Sequence, residues 1–476
     1  MQIIANRELV LDKFSKAVLY SLPTAEELRR SLAASENAEV RQQIAALFDK
    51  DTFVETGAYT KRGFSEFLTT DKANELEGVI TGYGAIDGKL VFVFAEDATR
   101  MGGAIDERHA KKITDLYALA TKNGAPVIGM FNSRGADVFN GTSSLAAYAR
   151  IMKCISDASG AILQIALVMG KCVGTMAAMA AMFDFTIAAS DADYYVNPKA
   201  DKSTKNFAIV SEGETYECLG MARALVSFLP ENSTVGCEVM ECADNLNRTL
   251  GELDFGGSAT AMIATIADNG MYIELGSAIC PEVTTVFTTI GGVKCGVIAT
   301  SFAEDEGRIT ALGAKKIARF VSFCDCFSIP VVTLVDSFGL SLDTKDEADF
   351  ADLLSDLAYA YATSDNAKVT VIVGHAIGAA FALLGSKALG ADIVYCTDSS
   401  EIGALPADSG VAFAWDQHIT TETTREQLIS EWKSSVASPV AAASSGEIDD
   451  IISTSELRAR ICSALLMLSA KGQFGF

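Results

Sequence analysis

Two short stretches of this chain could do chemistry with backbone groups alone: GKCVGTMAA at 170–178 and, 204 residues later, GHAIGAAFA at 374–382. In the first, an apolar strand turns at Gly174 and runs into an alanine-rich helix. The first N–H groups of a helix have no internal partner, and the helix dipole favours negative charge there. Such a turn can hold an oxyanion. If the strand-end loop at Gly135 and Ala136 adds an N–H to those of Gly174 and Thr175, the set clamps a carbonyl oxygen as it becomes an enolate, a role commonly worth about 10²- to 10³-fold in rate per donor. The repeat places Gly339 and Leu340 beside Gly378 and Ala379 in the same way. Small residues also let a helix pack closely on a sheet, which is the plain alternative. Duplication of the whole strand, turn and helix favours the binding turn.

Other reactive side chains offer less. His109 and His375 have no matched partner in the sequence and read as structural or pocket-lining residues rather than bases. Lys111 and Lys112, repeated as Lys315 and Lys316, read as a solvated helix face rather than as phosphate contacts. Ser143 and Ser144 lack the G-x-S-x-G elbow and the placed histidine of a serine hydrolase. The 11 cysteines form no CxxC pair and the three histidines lie far apart, so reduced thiols and no structural metal are expected. A net charge of −23 argues against nucleic acid or an anionic membrane surface as a partner. No P-loop GxxxxGK[ST] is present.

The elements that must position the two turns repeat as well. At the same offset, Gly88 meets Gly292, the string AKKI at 110–113 meets AKKI at 314–317, and Pro126 meets Pro330. Asn132 then meets Asp336 and Gly135 meets Gly339, so APVIGMFNSRGA and IPVVTLVDSFGL are one unit, an apolar strand ending in a polar residue and a glycine turn. Constant offsets broken by short insertions point to duplication. Within each half, strands alternate with helices, as in KLVFVFAED, ERHAKKITDLYALATKNG, PVIGMFN, AYARIMKCISDAS and ILQIALVMG, which predicts an α/β domain. With 476 residues the chain should form two domains, 1–240 and 241–476, joined in the polar stretch 228–245. The N-terminus, MQIIANRELVLDKFSK, lacks the features of a secretory signal, and no apolar run is long enough to span a membrane.

These strings, with IAALFDKDTFVETG, GVITGYGAIDGKLVFVFAEDATRMGGAIDERHAKKI, AKVTVIVGHAIGAAFALLGSKALGADIVY and SGEIDDIISTSELRARI, resemble the carboxyltransferase subunits of biotin-dependent acyl-CoA carboxylases and sodium-pumping acyl-CoA decarboxylases. The resemblance covers most of the chain. It implies two tandem crotonase-type β-β-α superhelix domains, with acyl-CoA held by the N-terminal domain and carboxybiotin reaching it from the C-terminal domain of a partner chain. Gly174 and Thr175, with Gly135 and Ala136 nearby, then correspond to the hole for a thioester enolate. Gly378 and Ala379, with Gly339 and Leu340, correspond to the hole for the biotin ureido oxygen. Biotin is expected on a separate carrier protein, since the usual AMKM attachment sequence is absent. The resemblance further implies a cytoplasmic homo-oligomer, a dimer or trimer of dimers, peripheral to a membrane decarboxylase subunit where CO2 release drives a pump.

The chain departs from this family's pattern around the pocket. The usual SGGAR is SRGAD, so Arg134 replaces a glycine and Asp137 an arginine, and an acidic group there would repel an anionic ligand. The usual PGF is FGL at 338–340, the loop after it is compressed into SLDTKDEADFADLL, and the segment after YYVNP is short. Three readings follow: an active carboxyltransferase subunit for a short acyl-CoA of the methylmalonyl-CoA or propionyl-CoA type, a biotin-independent crotonase-type acyl-CoA enzyme using one hole, and a noncatalytic scaffold of the same family.

Overall fold

The computed structural model describes residues 24–34, 38–61, 76–197, 199, 209–237, 239–242, 244–250, 257–420, 423–469 and 471. The N-terminal stretch through residue 23 and most of the short segment after YYVNP lie outside the described residues. The chain divides into two compact units, Met1–Asn232 and Ser233–Phe476. The division falls ahead of the boundary expected near 240, and local pairing explains why. The Asn232 side chain donates to Gly124 O in the first unit, whereas the Met240 N–H donates to Gly292 O in the second.

In the first unit a hairpin of β2 (Val79–Ile86) and β3 (Lys89–Glu96) follows the short strand β1 (Val54–Thr56). Its turn is Asp87-Gly88, both with positive φ, the chemistry that a two-residue hairpin turn requires. From β3 the chain crosses through helix α1 (Glu107–Asn123) to β4 (Val127–Phe131), then through α2 (Thr142–Ala158) to β5 (Gln164–Val168). Asp106 caps α1 by accepting from the Arg108 and His109 N–H groups, and Gly124, left-handed at φ 61°, ends it. After β5 come β6 (Lys171–Val173), α3 (Thr175–Ala180), β7 (Phe185–Ala189), β8 (Asp193–Tyr195), β9 (Ile209–Gly213) and α4 (Thr215–Phe228). The main sheet runs β1-β2-β3-β4-β5-β7-β9, antiparallel through the hairpin and parallel from β3 onward, with β6 and β8 as a separate parallel pair. Every residue of β4, β5 and β7 is buried, as expected of parallel strands covered on both faces. Phe131 meets Phe94 and Phe183 edge-on, each pair of rings 5.6 Å apart, in the core under the strand ends.

The second unit repeats this plan. Strands β10 (Tyr272–Leu275), β11 (Val283–Ile290) and β12 (Val293–Thr300) precede α5 (Ala311–Cys326), β13 (Val331–Ser337), α6 (Glu347–Thr363), β14 (Lys368–Ile377), α7 (Ala379–Leu383), β15 (Ile393–Thr397), β16 (Glu401–Gly403) and β17 (Asp450–Ile452). The sheet order is β10-β11-β12-β13-β14-β15-β17, with β16 paired to β14. The Gly291-Gly292 turn, again with positive φ at both residues, replaces Asp87-Gly88.

The lysine pairs were expected on a solvated face, and the structure divides the first of them. Lys111 is exposed and paired with Asp115 at 2.6 Å, but Lys112 falls on the sheet-facing side of α1 with His109, Ile113 and Leu116. Its Nζ donates to Val79 O at the start of the hairpin, and burial lowers the ammonium to about 8. Lys316 does the same work in the second unit, donating to Gly276 O, Ile279 O and Val283 O at 2.8 to 2.9 Å. The AKKI repeat therefore marks a lysine, buried in the first unit and half-buried in the second, that ties the crossover helix to the hairpin. All 11 cysteines are free thiols, and among the described residues no helix is long and apolar enough to cross a membrane.

Candidate active site

In the first unit the site is built where β4 and β5 end. Asn132 follows β4, and its Oδ1 accepts the Lys171 N–H at 3.1 Å. That clasp explains Gly170, because a Cβ there would stand 2.3 Å from the same oxygen. Ser133 N–H donates to Lys171 O at 2.8 Å, which holds the strand-end loop against the turn. The Ser133 hydroxyl accepts from Gly135 N–H at 3.0 Å and donates to Gly103 O at 2.6 Å. Gly135, at φ 110°, swings the chain back so that its carbonyl accepts from Ile105 N–H and the Asp137 N–H donates to Ile105 O. Both neighbours of Ala136 are thus committed to Ile105, and the Ala136 N–H has no acceptor among the described residues.

The turn itself corrects one expectation. The Gly174 N–H donates to Tyr195 O at 2.8 Å across the β6–β8 pair, so it is not a free donor. Thr175, the first residue of α3, is exposed, and its N–H has no acceptor among the described residues. Gly174 instead serves through its conformation, φ 63° and ψ −130°, which only glycine enters cheaply and which turns the chain from β6 into α3.

The second unit reproduces these bonds. Gly339 N–H donates to the Ser337 hydroxyl at 3.1 Å, Gly339 O accepts from Ile309 N–H, and Ser341 N–H donates to Ile309 O, which leaves the Leu340 N–H without an acceptor among the described residues. Gly378, at φ 56° and ψ −119°, gives its N–H to Gly403 O at 2.8 Å, so it too is a shaping residue rather than a donor. Ala379 opens α7, and its N–H has no acceptor among the described residues. Loop and turn adjoin here as well, since a Cβ on Gly339 would lie 3.2 Å from Ile377 O. Each unit thus leaves one loop N–H and one helix-start N–H without an acceptor among the described residues, Ala136 and Thr175 in the first and Leu340 and Ala379 in the second, on a loop and a turn that adjoin.

Side chains around the strand ends add what the repeat does not show. Glu96, at the end of β3, accepts the Asn132 N–H at 2.8 Å, and Thr300 accepts the Asp336 N–H at 2.7 Å in the second unit. A carboxyl closing the apolar string VFVFAED, at the repeat position of Thr300, was the available signal. Burial pushes Glu96 up to about 8. Asp137 is buried, and its carboxylate accepts from Phe139 N–H and the Asn140 amide, capping the next turn. Arg134 is exposed, with its stem against Gly102. His109 is sealed in the first unit, 3.7 Å from Glu77 and 4.0 Å from Glu96, with neither ring nitrogen hydrogen-bonded to a described residue. His375 does have a partner, Asp336 at 2.8 Å.

The model of the carboxyl transferase domain matches residues 35–196 and 208–475, which is nearly the whole of both units. The chain belongs to the carboxyl transferase domain family. It is 30% identical to the methylmalonyl-CoA decarboxylase subunit alpha of Propionigenium modestum, over 92% of this chain and 91% of that protein. It is 32% identical to the human mitochondrial propionyl-CoA carboxylase beta chain, over 90% of this chain and 85% of that one. Among solved structures, the transcarboxylase 12S hexamer with methylmalonyl-CoA and methylmalonic acid bound superposes with a TM-score of 0.85 at 27% identity, covering 93% of this chain and 92% of that one. The two units are accordingly the two crotonase-like domains of a carboxyltransferase.

Proposed function

We propose that the chain moves a carboxyl group between a short acyl-CoA, of the methylmalonyl-CoA or propionyl-CoA type, and biotin on a separate carrier protein. The acyl thioester oxygen is held by the N–H groups of Ala136 and Thr175, and the ureido oxygen of the carrier's biotin by those of Leu340 and Ala379. The observation that carries this reading is the recurrence, in both units, of one loop N–H and one helix-start N–H without acceptors among the described residues, while the N–H groups of Gly135, Asp137 and Gly174, and of Gly339, Ser341 and Gly378, are all committed. A duplicated site suits a reaction with two carbonyl acceptors of charge. Bound biotin supplies the ureido nitrogen that takes up or releases the carboxyl group. The chain's own contribution is fixed dipoles at each oxygen, which stabilise charge as it develops without asking a side chain to ionise. The Asp137 carboxylate is engaged by the Phe139 N–H and the Asn140 amide in capping the next turn, a structural role that accounts for the acidic residue without loss of the site and favours the active enzyme over the scaffold.

In this reading the protein is a cytoplasmic homo-oligomer in which the first unit of one copy works with the second unit of another. The deciding experiment follows labelled carboxyl from methylmalonyl-CoA to free biotin, with calorimetry of acyl-CoA binding alongside. Transfer should require both ligands and be insensitive to chelators. Acyl-CoA turnover without biotin would favour the one-hole enzyme. No acyl-CoA binding at all would leave the scaffold.

A further inference from the structure

The second unit carries a side-chain constellation that the backbone chemistry above does not use. Asp336 lies near the end of β13, and its Oδ1 accepts the His375 backbone N–H at 2.8 Å and lies 2.8 Å from the ring Nδ1 of the same residue. Gly374 makes the approach possible, since a Cβ there would stand 2.3 Å from that oxygen. A carboxylate only accepts, so Nδ1 carries the proton and Nε2 is the acceptor of the neutral ring. The imidazole is gripped from two sides: Phe302 stacks on it at 4.5 Å and 20°, and Phe338 meets it edge-on at 4.7 Å. Phe338 is the residue before Gly339, whose loop closes against Ile377, and His375 stands three residues before Gly378 on the strand that delivers the turn. Nε2 makes no hydrogen bond with a described residue and, unlike both ring nitrogens of His109, is not sealed from water.

The first unit has the clasp without the dyad. There the neutral amide of Asn132 receives the Lys171 N–H, and Lys171 is exposed. An oriented imidazole therefore distinguishes the second turn from the first. The charged groups around it are few and mostly occupied. Asp336 is its partner. Glu401, paired with His375 in the β14–β16 register, is bound by Lys433 at 2.9 Å and by the Ala407 N–H. Arg308, 5.8 Å from the centre of the Phe338 ring, is paired with Glu306, and Glu304 and Asp305 are exposed in the same loop.

We propose that His375 is a positioning residue of the second turn, whose neutral Nε2 accepts an N–H of a cyclic urea while the backbone N–H groups of Leu340 and Ala379 take the urea oxygen. The inference rests on the assignment of the second turn to biotin, and it adds a side-chain selector to that turn. An imidazolium has no acceptor to offer, so binding of the uncarboxylated ring weakens as pH falls.

Calorimetry of free biotin against the full-length protein from pH 5.5 to 8.5 tests this without turnover. Wild type should lose roughly three- to tenfold in affinity across the range, the worth of one hydrogen bond. His375→Phe keeps an aromatic ring between Phe302 and Phe338 and should bind at the weak level at every pH. Asp336→Asn keeps an acceptor for the backbone N–H but removes the anion that fixes the ring's tautomer and orientation, so affinity should fall part of the way to the level of His375→Phe. A purely structural histidine would leave biotin affinity unchanged in both folded variants. pH-independent biotin binding by folded wild type overturns the inference while leaving the carboxyltransferase reading intact. Absence of biotin binding beside normal acyl-CoA binding overturns the assignment of the second turn and the role of His375 together.

Discussion

Glu96 shows how one side chain can set the behaviour of the loop it supports. Its ordinary value is 4.5, and burial pushes it up to about 8, with the Asn132 N–H pulling the other way. A raised folded-state value means that the unfolded chain gives up this proton first as pH rises. The folded state therefore loses stability between pH 4.5 and about 8 and loses no more above that window. Glu96→Gln keeps an oxygen to accept the Asn132 N–H and cannot ionise. Its thermal midpoint should exceed that of wild type by several degrees near pH 7.5 and converge with it near pH 4.5. Parallel midpoint curves across that range would show that Glu96 does not ionise on unfolding as described. Lys112 works in the adjacent window, since an ammonium lowered to about 8 costs stability below that pH and ceases to do so as pH rises through it toward 10.5. Working at pH 7.5 or below keeps the two apart.

At the scale of elements, the turns make a sharper prediction because their two residues do different jobs. The N–H groups of Thr175 and Ala379 sit at the first position of a helix, where proline is tolerated, and neither has a partner to lose among the described residues. Thr175→Pro should impair steps on acyl-CoA by about 10²-fold or more, whereas Ala379→Pro should spare acyl-CoA binding and impair transfer to biotin by a similar factor. Circular dichroism confirms folding, and wild-type transfer rates in both folded variants would sink the two-hole account. By contrast Gly174→Ala or Gly378→Ala should destabilise by about 1–3 kcal/mol, because a Cβ is strained at those positive φ values. The sequence offset of 204 already placed both turns, both strand-end loops and the alternation of strand and helix, because an apolar run of five or more residues followed by glycine is a strong local signal. It could not show that the glycine N–H groups were occupied. Their acceptors, Tyr195 and Gly403, end three-residue strands too short to carry a periodicity. Nor could it separate Lys112 from Lys111, which requires the phase of α1 against the hairpin, or pair His375 with Asp336, which lie 39 residues apart and meet only when β13 and β14 align.

For the whole molecule, the exposed apolar residues just past the two loops argue for association. Val138 and Leu342 occupy equivalent positions in the repeat, and each is 79% exposed. Leu145 at 63% and Phe413 at 85% add to the apolar surface of their respective units. Leaving such side chains in water is unfavourable, whereas covering one recovers about 25 cal/mol per Å². Against this stands a net charge of −23 on every copy, which repels at long range. The two terms respond differently to salt: raising ionic strength from about 0.01 to 0.15 M shortens the screening length from about 30 to 8 Å and leaves apolar burial nearly unchanged. Association should therefore strengthen with salt, the reverse of an assembly held by opposite charges. Light scattering at micromolar protein should give at least twice the 50.3 kDa chain mass at 0.15 M salt. Val138→Asp and Leu342→Asp should shift the population toward monomer and lower transfer to biotin in proportion, with acyl-CoA binding less affected because its donors lie within one unit. A 50.3 kDa monomer with full transfer activity would require both substrates to meet inside a single chain and would rule out a site shared between copies.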